Sequence, residues 1–243
     1  MAEALVIIPT YNEIENVERI IRNVFSLQRD FHILIVDDNS PDGTGTKVKE
    51  LQLEYPEGLF LLEREGKLGL GTAYIAGFKW ALERSYAYIF EMDADFSHNP
   101  NDLIRLYNAC SKGTSQVAIG SRYVTGVNVV NWPMGRVLLS WLASKYVRFI
   151  TGMDIHDTTA GFICYKREVL EKINLDKIRF VGYAFQIEMK FKAYLLKFKI
   201  KEIPVVFTDR TKGNSKMSKG IISEAVFGVI TMKLKSLFKR YEI

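Results

Sequence analysis

Two aspartates two positions apart, Asp93 and Asp95, follow the short apolar run Tyr88-Ile-Phe-Glu-Met92 and precede Phe96-Ser97-His98 and then Asn99-Pro100. A run of β-forming residues that stops at two carboxylates reads as a buried strand ending in a polar corner. Residues two apart in an extended strand share a face, so both aspartates can aim oxygens at one point beyond the sheet. Hard anionic ligands beside open positions suit Mg²⁺ or Mn²⁺, whose shell is completed by water and the oxygens of a substrate diphosphate. The plainer alternative is a loop whose aspartates cap the helix that begins near Pro100. Asp-x-Asp alone is too short to decide between them.

The elements that must position this corner are legible as an alternation. Strand-like runs at Leu5–Ile8, His32–Val36, Leu59–Leu62, Tyr88–Met92 and Val117–Ile119 are separated by helix-period segments near Ile14–Ser26, Gly43–Glu54, Gly71–Ser85 and Asp102–Ser111. That order predicts an α/β fold with a mostly parallel sheet and helices on both faces. Such sheets bind ligands beyond the carboxyl ends of their strands. There the chain places Pro9-Thr-Tyr-Asn-Glu13, Asp37-Asp-Asn-Ser-Pro-Asp-Gly43, the Asp93/Asp95 corner and Gly120-Ser-Arg-Tyr123. Individually these are turns and helix caps; their joint placement on one edge is not explained by turn chemistry. Gly69-Leu-Gly71, after Lys67, offers either a close backbone approach to an anion or base, or a simple tight turn.

The remaining sequence sets bounds. At 243 residues the chain fits one generous domain, and 48% hydrophobic with 25% charged residues predicts a packed core. A formal net charge of +5 favours an anionic partner but is too small to imply nucleic acid, and no basic and aromatic residues interleave in a nucleic-acid module. Cys110 and Cys164 are far apart and read as buried free thiols in a reducing cytoplasm. The N-terminus enters a strand directly, without a secretory leader, and no apolar run is long enough to span a bilayer.

Farther along, Arg136–Ile150 at a helical period groups Leu138, Leu139, Leu142, Ala143, Tyr146, Phe149 and Ile150 on one side, with Arg136, Ser140, Ser144, Lys145 and Arg148 opposite. The expectation is an amphipathic helix with a basic outer face, packed on the sheet or lying in a lipid interface. Phe185–Leu196 reads as a helix and Ile200–Phe207 as a strand. Arg210–Lys216 reads as a mobile loop that orders around phosphates, with a solvated connector as the alternative. Ile221–Phe238 reads as an apolar helix with a basic end, suited to a membrane surface or a partner's helices.

Taken together, Pro9-Thr-Tyr-Asn-Glu13, Asp37-Asp-Asn-Ser-Pro-Asp-Gly-Thr44, Lys67-Leu-Gly-Leu-Gly-Thr-Ala-Tyr74, Asp93-Ala-Asp-Phe-Ser-His98, Gly120-Ser-Arg-Tyr123, Gly182-Tyr-x-Phe-Gln-x-Glu-Met189 and Asp209-Arg-x-x-Gly-x-Ser-Lys216 resemble the family 2 glycosyltransferases of GT-A fold. Within that family they look most like the polyprenyl-phosphate (dolichol-phosphate) mannosyltransferases. The resemblance implies a catalytic domain over residues 1–210. Residues 211–243 would form an active-site loop and an amphipathic helix packed on the same domain.

It further implies that Pro9, Tyr11, Glu13, Val36 and Asp38 hold the nucleoside, that Asp93, Ala94 and Asp95 meet the diphosphate and metal, and that Arg122, Arg210 and Lys216 contact phosphate or sugar. Asp95, Arg122 and Arg210 are the implied catalytic residues. Ser97 stands where some members carry Gln as a third metal ligand, so a hydroxyl or water replaces it; Ile163 stands where many carry Arg.

The implied reaction is metal-dependent, inverting transfer of mannose from GDP-mannose to a polyprenyl phosphate. It would occur at the cytoplasmic face of a membrane, with the protein bound peripherally. The membrane-spanning extension of some relatives is missing, which bears on membrane attachment but not on catalysis, and whether a membrane-anchoring partner subunit is needed is left open. The competing readings are a UDP-glucose or other nucleotide-sugar donor, and a non-catalytic nucleotide-sugar-binding subunit. None of His32, His98 and His156 forms a nucleophile–base pair; His98 either touches the acceptor phosphate or caps and packs.

Overall fold

The computed structural model describes residues 2–182, 184–209 and 219–238, the last segment as backbone alone through residue 225. Seven strands form one sheet in the order β3 (Leu59–Glu63), β2 (His32–Asp37), β1 (Ala4–Thr10), β4 (Tyr88–Glu91), β7 (Ile163–Lys166), β5 (Val117–Ser121), β8 (Ile200–Pro204). All neighbours run parallel except β7, which is antiparallel to both β4 and β5. The five strands expected in the first half are present, each with slightly different ends. The expected Ile200–Phe207 strand divides into β8 and a two-residue β9 (Phe207–Thr208), which pairs with β6 (Val129–Val130).

Strict alternation along β1 explains why its sequence reads as an unbroken apolar run. Leu5 and Ile7 enter a core shared with α3 (Leu70–Leu82), α5 (Met134–Thr151), α7 (Ala184–Leu195) and α8 (Lys219–Leu237). Ala4, Val6 and Ile8 face the opposite core, built with α1 (Val17–Phe25), α2 (Thr44–Gln52) and α4 (Asp102–Ser111). A strand covered on both faces has no polar side to show. Cys110 and Cys164 are buried free thiols there, Cys110 Sγ lying 3.7 Å from the Cys164 carbonyl oxygen.

The chain moves from β1 outward to β2 and β3, then returns to place β4 on the other side of β1. At such a reversal the loops leaving two neighbouring strands diverge and leave a crevice. Ile7 sits opposite Glu91, and Met92 N–H donates to the Ile7 carbonyl at 3.1 Å, so the Pro9 and Asp93 segments leave the sheet side by side.

Helix α5 corrects the sequence reading. Its buried stripe is Ser144, Val147 and Thr151, whereas Leu138, Leu142 and Phe149 are exposed, Phe149 by 87%. These side chains are shorter than the leucines and aromatics of the other stripe and allow closer approach to the body of the protein, with the bulkier stripe turned outward. Helix α8 packs on α5 and α7: the Tyr146 hydroxyl donates to the Val226 carbonyl at 2.8 Å and Lys233 Nζ to the Thr151 carbonyl at 3.0 Å. Among the described residues no helix is long and apolar enough to cross a membrane.

Both glycines at the start of α3 serve packing. Gly69 adopts φ +105°, and a Cβ on Gly71 would lie 2.8 Å from Phe185 Cγ and 2.9 Å from the Phe180 carbonyl oxygen. The contact with backbone cannot be relieved by a rotamer change, so Gly71→Ala is expected to cost about 1–3 kcal/mol. Urea denaturation checks this; unchanged stability would show that the α3–α7 contact is looser than described.

Candidate active site

Loops after β1 and β2 are stitched into one rim. Asp37 accepts the Thr10 hydroxyl at 2.7 Å, the Ser40 hydroxyl at 2.6 Å and Ser40 N–H at 2.9 Å. Asp42 accepts Thr44 N–H at 3.0 Å and Ile14 N–H at 3.1 Å, tying the second loop to the first. Asn12 and Asn39 take φ of +58° and +54°, a left-handed conformation that asparagine tolerates. Of the residues expected around the nucleoside, Asp38 is buried beside Arg64, whose Nε donates to it at 2.6 Å. Tyr11 lies under Lys67 Nζ at 4.9 Å, and Glu13 accepts the Asn16 amide at 3.0 Å. Pro9 is half-buried next to Val36 in the sheet, and Val36 is wholly within the core.

Strand β4 ends at Glu91, and Asp93 and Asp95 lie in the bent segment beyond it, where Phe96 takes φ +61°. A bend, rather than the expected strand alternation, therefore brings the two carboxylates to one cleft of about 400 Å³, which both line. Hydrogen bonds orient both carboxylates. The Tyr74 hydroxyl donates to Asp93 Oδ1 at 3.3 Å, and Ser97 N–H donates to Asp95 Oδ1 at 3.0 Å. Ala94 between them is buried, and Ser97 lines the same cleft. Among the described residues no cluster of three or more His, Cys, Asp and Glu is placed to hold a metal. Two oriented hard-oxygen donors on a cleft fit a Mg²⁺- or Mn²⁺-type ion that draws the rest of its shell from diphosphate and water.

His98 packs rather than projects. Its ring stacks on Phe162 at 4.8 Å and meets Phe207 edge-on at 5.6 Å. Asp93 N–H donates to His98 Nδ1 at 3.2 Å, which assigns the ring proton to Nε2. Burial lowers its pKa to about 4, so the imidazole is neutral near pH 7.

Arg122, at the end of β5, donates from Nε to Asp157 Oδ2 at 2.7 Å and from Nη2 to Asp157 Oδ1 at 2.6 Å and the Thr159 hydroxyl at 2.8 Å. Burial opposes ionisation of Asp157, but the Arg122 guanidinium holds its pKa below the usual range. Glu202 on β8 fixes that aspartate's segment: it accepts His156 N–H at 2.7 Å, Asp157 N–H at 2.9 Å and the Ser121 hydroxyl at 2.7 Å. Nearby, Arg136 lies 4.0 Å from the Trp132 ring centroid and donates to Asp209 at 2.9 Å. Arg122, Trp132, Arg136 and Ser140 line the cleft with Asp93 and Asp95, and its apolar wall comes from Leu139, Leu142, Tyr146 and Val226. Arg136 was expected on the outer face of its helix; the structure puts it in the cleft. Arg210 and Lys216 lie outside the described residues. Asp157, Glu202 and Gln186 were not singled out from sequence, although Gln186 sits inside the Gly182–Met189 motif.

The depressed pKa of His98 has a definite sign. The unfolded imidazole takes up a proton near the ordinary 6.5 while the folded one resists down to about 4, so stability is lost as pH falls through that window. The loss is expected to be on the order of 3 kcal/mol, and His98→Asn should flatten the pH dependence of denaturation between 6.5 and 4. An identical slope in that variant would contradict the assignment.

Residues 5–174 match the model of glycosyl transferase family 2. The chain is 48% identical over 236 residues to a polyprenol monophosphomannose synthase of Mycolicibacterium smegmatis, covering 97% of this chain and 89% of that protein. It is 45% identical over 225 residues to an undecaprenyl-phosphate mannosyltransferase of Micrococcus luteus, covering 93% and 91%. Among solved structures it resembles a mannosyltransferase of Pyrobaculum calidifontis in complex with GDP-Man and Mn²⁺, at TM-score 0.61 and 17% identity over 98% of this chain and 64% of that one. It also resembles glucosyl-3-phosphoglycerate synthase of Mycobacterium tuberculosis in complex with Mn²⁺, UDP and phosphoglyceric acid, at TM-score 0.66 and 17% identity, covering 96% and 77%. A polar rim at the reversal of a mostly parallel sheet, an acidic corner beside it and a family match over most of the length agree: this chain belongs to glycosyl transferase family 2.

Proposed function

We propose that this protein transfers mannose from GDP-mannose to the phosphate of a polyprenol at a membrane surface. The observation that carries the reading is a single cleft in which the Asp93/Asp95 corner, two arginines and an apolar wall meet. A sugar nucleotide needs the first, an acceptor phosphate the second and a polyprenyl chain the third. The mannosyltransferases that the chain resembles at 45% and 48% identity supply the choice of donor and acceptor.

In this reading the rim of Pro9, Tyr11, Glu13, Val36 and Asp38 receives the nucleoside, and Asp93, Ala94 and Asp95 face the diphosphate. A divalent cation held by Asp93 and Asp95 would offset charge on the departing GDP. Arg122 is fixed in place by Asp157, so it offers a preset positive field rather than a mobile clamp. Arg136 and Ser140 are placed to hold the acceptor phosphate, with Arg136 exchanging part of its contact with Asp209 for it. Arg210 and Lys216 keep their proposed phosphate contacts.

An acceptor phosphate oxygen attacks the anomeric carbon while the bond to the β-phosphate oxygen breaks, its electron pair leaving with GDP. A polyprenyl monophosphate is already ionised near neutral pH, so no proton need be removed. Neutral, buried His98 with Nδ1 occupied fits that absence of a base. One in-line displacement inverts the centre and gives a β-linked mannosyl phosphate.

Membrane approach falls to α5 and α8. Phe149, Phe227 and Phe238 are 87%, 71% and 71% exposed, with Leu138, Leu142, Leu234 and Leu237 around them and Lys145 over Trp141 at 5.0 Å. Exposed aromatics and leucines flanked by cations suit a lipid interface. The apolar cleft wall comes from the same two helices, so docking there delivers the acceptor phosphate to Arg136. A membrane-anchoring partner subunit would bind the same face.

The test uses liposomes carrying polyprenyl phosphate with labelled GDP-mannose or UDP-glucose. Transfer from GDP-mannose to a β-linked product, read by NMR, is expected. Arg136→Ala should raise the KM for acceptor about tenfold or more with the GDP-mannose KM little changed. Phe149→Glu should slow transfer on liposomes but not on a short, soluble acceptor. Exclusive use of UDP-glucose, an α-linked product, or equal transfer by the variants would each overturn the corresponding part.

A further inference from the structure

One polar group in the cleft wall is unused by this mechanism. Gln186, in the first turn of α7, lines the cleft and is 2% exposed, and its Oε1 has no hydrogen-bond partner among the described residues. A buried acceptor left unpaired is destabilising, so a ligand that supplies a donor is the natural complement. The orientation of the amide is not arbitrary. Its Nε2 donates to the Glu91 carboxyl oxygen Oε2, which leaves the carbonyl end turned away from Glu91.

The support is rigid on every side. Glu91 is the last residue of β4, two positions before Asp93, so the amide is anchored to the strand that delivers the acidic corner. Lys190 Nζ donates to the main-chain carbonyls of Gln186 at 3.1 Å and Ala160 at 2.6 Å, locking the helix turn to the opposite loop. On that loop Gly161 lies alongside the amide, a Cβ there making an ordinary 3.5 Å contact with Gln186 Nε2.

The chemistry of the reactants singles out which one meets Oε1. An ionised acceptor phosphate and a diphosphate have acceptors only, and a polyprenyl tail has neither donor nor acceptor. The nucleoside rim residues Tyr11, Glu13 and Asp38 are not part of this cleft's lining. The hydroxyls of the hexose are the remaining donors.

We infer that Gln186 is a sugar-reading residue, its amide held by Glu91 so that Oε1 accepts a hydrogen bond from one hydroxyl of the hexose being transferred. This rests on the donor reading above and assigns the recognition of its sugar part. A site built to pair a hydroxyl discriminates strongly against the analogue that lacks it.

The test is calorimetry of the full-length protein with Mn²⁺, comparing GDP, GDP-mannose and the monodeoxy GDP-mannoses. Gln186→Met keeps the length of the side chain without the amide. It should bind GDP within about twofold of wild type and lose about tenfold of the extra affinity that mannose confers. One monodeoxy donor should bind about tenfold more weakly than GDP-mannose to wild type and equally to Gln186→Met. Glu91→Gln, which lets the amide turn over, should lose part of the same discrimination while GDP binding persists. Unchanged GDP-mannose affinity in Gln186→Met, or equal weakening of GDP and GDP-mannose, would overturn the inference and leave the proposed reaction intact. A wild type that prefers a UDP-sugar would overturn the donor assignment. The UDP against UDP-sugar comparison in the same variants would still decide the role of Gln186.

Discussion

Glu91, Asp93 and Asp95 crowd the end of one buried strand, and the cost of burying the innermost carboxylate beside the other two is the constraint the rest of this site answers. Burial, with Asp93 adding to it, drives the pKa of Glu91 upward, while Lys190 opposes that shift from behind the sheet. Burial in turn pushes the pKa of Lys190 down, and Glu91 and Asp157 pull it back. The protein thus compensates the innermost carboxylate with its own buried cation. The outer two, oriented by Tyr74 and the Ser97 amide, line the cleft where a divalent ion and a diphosphate can complete the balance.

The other side of the cleft uses the opposite arrangement. Arg122 is committed to Asp157, and Asp157 is set by the segment that Glu202 holds, so a positive group is fixed with little freedom to wander. Such preorganisation is costly to fold but avoids rearrangement when charge develops during transfer. Arg136, on Trp132 and Asp209, is the more accessible member of the pair. Because α5 carries Arg136 into the cleft and Leu138 and Phe149 outward, one helix links the proposed phosphate site to the surface through which a lipid acceptor would arrive.

How much of this the sequence discloses depends on the range of the interaction. β1 through β5 and α4 are legible because strands covered on both faces must be continuously apolar and the turns between them are chemically marked. β7, the antiparallel strand Ile163–Lys166, is four residues long and gains its identity only from the strands on either side, so it leaves no local signal. Periodicity located α5 but could not say which stripe is covered, because that depends on where small residues permit contact. Asp157 is found only through Arg122, 35 positions away, and Asp209, which opens a motif, shows its pairing with Arg136, 73 positions away, only in the fold. The unpaired oxygen of Gln186 is likewise a property of packing rather than of its motif.

The central claim is that Asp93 and Asp95 hold a divalent cation through which the donor diphosphate is bound. The most direct measurement is calorimetric affinity for GDP with Mn²⁺ and with EDTA, in the wild type and in the Asp93→Asn/Asp95→Asn double variant. The account predicts wild-type affinity that falls roughly a hundredfold without the cation, and a double variant that is weak and indifferent to it. Equal affinity in Mn²⁺ and EDTA for the wild type, or full cation dependence in the double variant, would contradict it.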